Sequence, residues 1–252
     1  MTVFPVTKIA RILRKISKRA RYFYRKLNQR RWLYGRQVRQ LTPSSLLEGH
    51  FRIFSSPSHV CLSGFKVALD LLDGGPASII ETGTSAWGTD STALWAKYVK
   101  TFGGRLWSVD IRQEPALKLG FLGHQIELVV DDSVHFIQNF ASENEGVKID
   151  LFYLDSFDVD WSDPTPAANH GWAEFDAIQP LVKPGTIVII DDTPRNPTEM
   201  PFVSEEVMKH VRSFFERKIG PPGKGNLVFN FVSESSEWEI LHHSYNFVVR
   251  KK

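Results

Sequence analysis

Cysteine is nearly absent from this chain of 252 residues: Cys61 stands alone. A single cysteine excludes a disulfide framework and any cysteine-rich zinc site, and makes a reducing compartment the default. Set between Val60 and Leu62, it reads as a core residue rather than a nucleophile. No run of eighteen apolar residues exists, which excludes a transmembrane helix. Acidic residues are missing from positions 1–47, while thirteen of the 31 Lys and Arg fall between Lys8 and Arg39. From Gln40 onward the remaining eighteen basic residues face 28 acidic ones, a net of −10. The overall charge of +3 therefore hides an acidic globule with a basic arm. Ile9–Leu27 is too charged for a secretory signal; its acid-free, Arg-rich composition fits an organelle transit peptide, but it is poor in serine. The expected location is the cytoplasm, with the arm at a membrane periphery. The dinucleotide fingerprint G-x-G-x-x-G is also lacking, because position 85 is Ser; this counts against NAD or FAD.

What is present suffices for a large core: 42% hydrophobic residues, with 18 Phe and 7 Trp. The length fits one α/β domain of about 200 residues with an appendage. Residues 8–40 read as an amphipathic helix, with Ile9, Ile12, Leu13, Ile16, Ala20, Phe23, Tyr24 and Leu27 on one face and Lys or Arg over the rest. Thr42-Pro43-Ser44-Ser45 punctuates the chain and divides it into an arm, 1–41, and a domain, 42–252. Residues 8–40 suit an anionic partner, a membrane surface or RNA. The plainer alternative is a helix packed on the domain or on a second subunit of a homo-oligomer.

From Pro57 the pattern alternates. Helices are expected at Val60–Leu72, Ser91–Phe102, Pro115–Leu122, Ser133–Ala141, Trp172–Val182 and Ser204–Arg217. Strands are expected at Ser78–Glu81, Arg105–Asp110, Ile126–Val130, Asp150–Leu154 and Thr186–Ile190. Asn226–Val232 and Tyr245–Arg250 read as a final antiparallel pair. Such βα alternation predicts a mostly parallel sheet wound with helices on both faces. Each of the five strands ends in a carboxylate: Glu81, Asp110, Asp131-Asp132, Asp155 and Asp191-Asp192. Ligands bind beyond the carboxyl ends of strands in an open parallel sheet, so these ends predict an acidic cleft; loop-starting Asp is the ordinary alternative. The first strand opens a glycine turn, Gly83-Thr84-Ser85-Ala86-Trp87-Gly88, in which Gly83 allows close backbone approach to a ligand.

Glu81-Thr82-Gly83 resembles the first motif of class I, S-adenosylmethionine-dependent methyltransferases. The resemblance covers roughly residues 57–250 and implies a Rossmann-like, doubly wound, seven-stranded sheet with a reversed C-terminal hairpin. Lys183-Pro184-Gly185 before the fifth strand is similar to the corresponding segment of that family. It implies that Glu81, Gly83, Thr84, Ser85 and Gly88 border the cofactor, that Asp110 binds the ribose hydroxyls, and that Asp132 and Ser133 meet the adenine. The turn is one residue longer between glycines than the family's common spacing.

A narrower resemblance is to the catechol- and macrocin-type O-methyltransferases. It implies that Asp155, Asp191 and Asp192 hold Mg²⁺ or another divalent ion and that the acceptor is a small hydroxylated molecule. Oxygen ligands of this kind suit Mg²⁺, which would lower the pKa of the acceptor hydroxyl. Asp158 stands where some relatives carry a basic residue, so that role does not transfer. His170, expected to start a helix and to be oriented by Glu174 one turn on, is the candidate base, with Asp155 beside it. The loops Asp160–Asn169 and Thr193–Pro201 read as substrate walls, and Gly220–Gly225 as a stiff turn that is more simply an ordinary loop. Two alternatives stay open: an RNA methyltransferase using the basic arm, and a metal-dependent glycosyltransferase-like enzyme using Asp158-Val159-Asp160.

Overall fold

The computed structural model describes residues 20, 22–35, 41–85, 88–200, 203–217 and 220–252. It divides into two compact units, residues 1–40 and 41–252. In the first, residues 22–34 are helical, with Tyr22, Phe23 and Tyr24 exposed. Most of the helix expected over 8–40 lies outside the described residues, as do Ala86, Trp87 and Pro201.

The second unit opens with α1, Pro43–Phe54. The expected boundary at Thr42–Ser45 is in fact its start: Thr42 caps the helix, Ser45 returns the capping-box bond, and Pro43 supplies a preset φ in the first turn. After α2 (Leu62–Leu72) the chain alternates through β1 (Ala77–Thr82), α3 (Ser91–Phe102), β2 (Gly104–Asp110), α4 (Gln113–Leu119), β3 (Ile126–Val130), α5 (Ser133–Glu143), β4 (Leu151–Leu154), α6 (Thr165–Ala177) and β5 (Ile187–Ile190). Then follow α7 (Glu205–Arg217), α8 (Asn226–Glu234), β6 (Trp238–His243) and β7 (Phe247–Lys251). The seven strands run in the order β3-β2-β1-β4-β5-β7-β6, parallel except for β7, which is antiparallel to both neighbours. This is the Rossmann-like sheet with a reversed hairpin that the sequence pattern and resemblance lead one to expect. Strands β4 (LFYL) and β5 (IVII) are buried along their whole length, as an unbroken apolar run in the centre of a parallel sheet requires.

The hairpin's second strand lies where the sequence places it, at Phe247–Lys251 against the expected Tyr245–Arg250, but its first does not. Asn226–Val232 is the first part of α8, and β6 lies farther on, at Trp238–His243. A seven-residue stretch with five apolar residues is too short to fix its own period. Its two fully buried members, Val228 and Val232, are four apart, on one helical face against the core that includes Phe175, Trp238 and Phe247. The helix expected at Trp172 begins seven residues earlier, at Thr165, with Pro166 in its first turn, and ends in a single 3₁₀ turn, Gln179–Leu181. Much of the expected Asp160–Asn169 wall is therefore helix, and His170 sits inside α6 rather than at its start.

Register aligns the strand ends. Thr82 faces both Val109 and Leu154, and Leu154 faces Ile190. Asp155 and Asp191 thus emerge side by side at one rim. Strand order reverses between β1 and β4, the crevice where such sheets bind ligands.

Candidate active site

Side chains two apart on a strand share a face, and register partners on neighbouring parallel strands do too. Glu81, Ser108 and Tyr153 are such partners on β1, β2 and β4. Glu81 is 0% exposed, and its carboxylate accepts from Ser91 Oγ (2.5 Å), Thr92 Oγ1 (2.5 Å) and Ser108 Oγ (2.6 Å). Burial pushes its pKa up to about 7 against the three hydroxyl bonds. Glu81 therefore ties β1 to β2 and to the start of α3. The structure places the oxygens of this expected cofactor residue on three hydroxyls inside the protein.

The glycine turn is shaped by its neighbours as well. Gly83 has φ +84°, and a Cβ there would overlap the carbonyl oxygen of Asp155. Its freedom serves the close approach of the β1 and β4 ends rather than a ligand alone. Thr84 Oγ1 lies 2.9 Å from Ser108 Oγ, and the Ser85 amide, at φ +54°, donates to Thr92 Oγ1 at 2.7 Å. Gly88, at φ +93°, faces His59 Nε2.

At the end of β2, Asp110 Oδ1 accepts from the Arg112 amide (2.7 Å) and Nε (3.0 Å), and Oδ2 from Nη2 (2.9 Å). The Arg112 side chain is 61% exposed, so it can exchange for another donor pair at that carboxylate. Asp132 caps α5 by accepting from the His135 amide at 3.0 Å.

Ser133, at the start of α5, belongs to a half-buried polar cluster. Its Oγ lies 3.2 Å from Ser156 Oγ and 3.1 Å from His170 Nε2. Ser156 Oγ lies 2.8 Å from His170 Nε2 and donates to Glu174 Oε1 at 2.7 Å. His170 and Glu174, one turn apart on α6, are 3.6 Å apart. The Glu174 carboxylate raises the imidazole pKa above its ordinary value, with burial opposing. Phe157 covers the ring at 5.1 Å. The sequence-based pairing of these two residues is thus present in the geometry.

The rim of β4 and β5 gathers Asp155, Asp191 and Asp192, as expected, but with a partner the sequence reading missed. Lys224 Nζ donates to Asp155 Oδ1 and to Asp192 Oδ2, the latter at 3.0 Å. Tyr153, two residues before Asp155 and so on its face, places its hydroxyl 3.0 Å from Asp155 Oδ2 and 2.5 Å from Asp191 Oδ2. Asp191 Oδ1 accepts from the Asp192 amide at 3.0 Å and from Cys61 Sγ at 3.3 Å; Tyr245 donates to Asp192 Oδ1. Burial pushes Asp155 and Asp191 up, with Lys224 opposing. Burial also pushes the Cys61 thiol up, which keeps it protonated and unreactive.

Five of the six carboxylate oxygens therefore have a protein donor of their own, since the single Tyr153 hydroxyl hydrogen serves Asp191 Oδ2, the shorter of its two contacts, or Asp155 Oδ2 but not both. Mg²⁺ needs near-octahedral oxygens and retains waters, and an ammonium between two of the three carboxylates leaves no such place. Among the described residues no group of three or more His, Cys, Asp or Glu is arranged to hold a metal. The donor set as it stands does not fit the divalent ion implied by the narrower resemblance. Lys224 could have been noticed as a lysine between two glycines. The Asp158-x-Asp160 pair is a loop turn, in which Asp160 accepts from Ser162 N (2.9 Å) and Oγ (2.6 Å).

A family model described as a methyltransferase domain matches residues 80–193. No curated protein matches. Among solved structures, the MycE methyltransferase of the mycinamycin biosynthetic pathway, in complex with Mg and S-adenosylhomocysteine, aligns at TM-score 0.50 and 16% identity. The alignment covers 84% of this chain and 55% of that one, so the chain spans about half the length of MycE. The S-adenosylhomocysteine-bound methyltransferase PaMTH1 of Podospora anserina aligns at TM-score 0.50 and 14% identity, over 100% of this chain and 99% of that one.

Proposed function

We propose that the chain is a class I, S-adenosylmethionine-dependent methyltransferase, a reading supported by the match of residues 80–193 to a methyltransferase-domain model, and that it methylates a hydroxyl oxygen of a small acceptor at the rim of β1, β4 and β5. The observation that carries this reading is the His170–Ser156–Glu174 cluster beside the topological switch point. A MycE complex also contains mycinamycin VI, a small-molecule ligand at a related fold.

When bound, S-adenosylmethionine supplies an electrophilic methyl group on a sulfonium sulfur. The residues that would hold it are Gly83, Thr84, Ser85 and Gly88 of the turn, Asp110 toward the ribose, and Asp132 with Ser133 toward the adenine. Arg112, now on Asp110, gives way to the ribose hydroxyls. Ser156 gives its hydrogen to Glu174, so the network favours a hydrogen on His170 Nε2 pointing at the Ser156 oxygen. That tautomer leaves the lone pair on Nδ1. His170 takes the acceptor's hydroxyl proton there, and Glu174 offsets the positive charge the ring then carries.

The test offers the protein radiolabelled S-adenosylmethionine with a panel of phenols, catechols and hydroxylated glycosides. The expected product is an O-methyl ether identified by mass. Label found only in RNA, or only on nitrogen, overturns the assignment.

A further inference from the structure

In this family's metal-using members a divalent ion would sit among the carboxylates at the β4 and β5 ends. Here that place holds a lysine, and three features of the fold keep it there. The first is its own environment: the Lys224 side chain is 3% exposed and lies between Asp155 and Asp192. The second is the backbone that carries it. The Lys224 amide donates to the Asp192 carbonyl (3.2 Å), and the Gly225 amide donates to Thr193 Oγ1 (2.9 Å). The third is close packing on both sides. A Cβ on Gly223 would overlap the Asp192 carbonyl oxygen, and one on Gly171 of α6 would overlap the Lys224 carbonyl oxygen. The turn is thus clamped between the Asp192–Thr193 segment and α6, which fixes the lysine's backbone beside the carboxylates.

We infer that Lys224 is the resident cation of this carboxylate cluster, occupying the place of a divalent ion, so that the chain binds no metal there. The inference rests on the proposed methyl transfer only for its catalytic consequence. An ammonium can hold Asp155 and Asp192 together and offset their charge. It cannot lower an acceptor hydroxyl's pKa by direct coordination as a metal does. The acceptor proton is then left to a protein base, which is the role the His170 cluster is built for. The 220–225 turn becomes part of the site's electrostatics.

The decisive experiment measures Mn²⁺ binding to the full chain by electron paramagnetic resonance, after treatment with EDTA. Wild type is expected to bind Mn²⁺ no tighter than about 1 mM. Lys224→Met and Lys224→Gln, which remove the charge and free the three carboxylates, are expected to bind one Mn²⁺ per chain at least about tenfold more tightly. Tight, saturable binding to wild type that Asp155→Asn removes overturns the inference, and so does unchanged weak binding in folded Lys224 variants. If those variants fail to fold, the wild-type and Asp155→Asn titrations still decide. S-adenosylhomocysteine affinity is measured on the same samples. Its absence would sink the methyltransferase reading and leave the cation assignment standing.

Discussion

His170 Nε2 lies 3.6 Å from Glu174 Oε1, and one hydroxyl bridges them: Ser156 Oγ is 2.8 Å from the imidazole and 2.7 Å from the carboxylate. The bridge has a pH signature. Glu174 holds the His170 pKa above 6.5, so a base at this position becomes active only as pH rises through that elevated value. The kcat–pH profile is expected to climb with a midpoint above 6.5. Glu174→Gln should move the midpoint down, and His170→Ala should lower turnover by about 10²-fold or more. The same pair contributes stability that is fully present between 4.5 and 6.5, lost as pH rises through the folded His170 value and lost again as pH falls through the folded Glu174 value. A flat profile with a mild His170→Ala variant would remove His170 from the chemistry.

In the proposed reading the cofactor's ribose takes the Asp110 carboxylate that Arg112 now occupies. Asp110→Ala is expected to weaken S-adenosylmethionine binding at least about tenfold, or about 1.4 kcal/mol. Arg112→Ala removes only the competitor and should leave affinity equal or higher. Calorimetric titration of both variants reads the two effects, and an unchanged affinity in folded Asp110→Ala places the ribose elsewhere.

Glu81, buried and holding three hydroxyls on its carboxylate, is a stability determinant. Its pKa is about 7 in the folded chain against 4.5 for the free group. The folded state therefore keeps a proton that the unfolded chain has released, so stability falls as pH rises from 4.5 to about 7 and is level above. The span corresponds to a loss on the order of 3 kcal/mol. Glu81→Gln should flatten that part of the curve in denaturant titrations at pH 5 and pH 8, whereas Glu81→Ala should destabilise at both by leaving Ser91, Thr92 and Ser108 without their shared acceptor. Parallel pH curves for wild type and Glu81→Gln would mean the carboxyl titrates normally.

The basic arm is expected to be dispensable for cofactor binding, since every proposed site residue lies after Pro57. Anionic lipid contributes about 1 kcal/mol per nearby Lys or Arg, enough for several of the thirteen to hold the chain at a surface. Deleting residues 1–40 should preserve S-adenosylmethionine affinity and release the protein from anionic vesicles in co-sedimentation at low salt. Retention on total RNA instead, lost with the same deletion, would favour the nucleic-acid role, and pelleting with neither leaves the arm a packing element.

Much of the scaffold was legible from local pattern. Apolar runs such as Ile187–Ile190, bounded by Lys183-Pro184-Gly185 and a carboxylate pair, announce a buried parallel strand and its rim. The spacing of His170 and Glu174 announces one helix face. Other features were decided only by packing. Asn226–Val232 is apolar enough for either a strand or a helix, and α8 forms because Val228 and Val232 meet the core together. Glu81 and Gly83 look the same in sequence whether they serve a ligand or the fold. Their roles depend on Ser91, Thr92 and Ser108 in one case and on the Asp155 carbonyl in the other. Lys224 lies 69 residues from Asp155 along the chain, in a turn whose composition says only that it bends. Local sequence carries periodicity and conformational freedom, but the charge that neutralises a buried carboxylate arrives through space, and only the closed sheet with α6 packed against the 220–225 turn brings the two together.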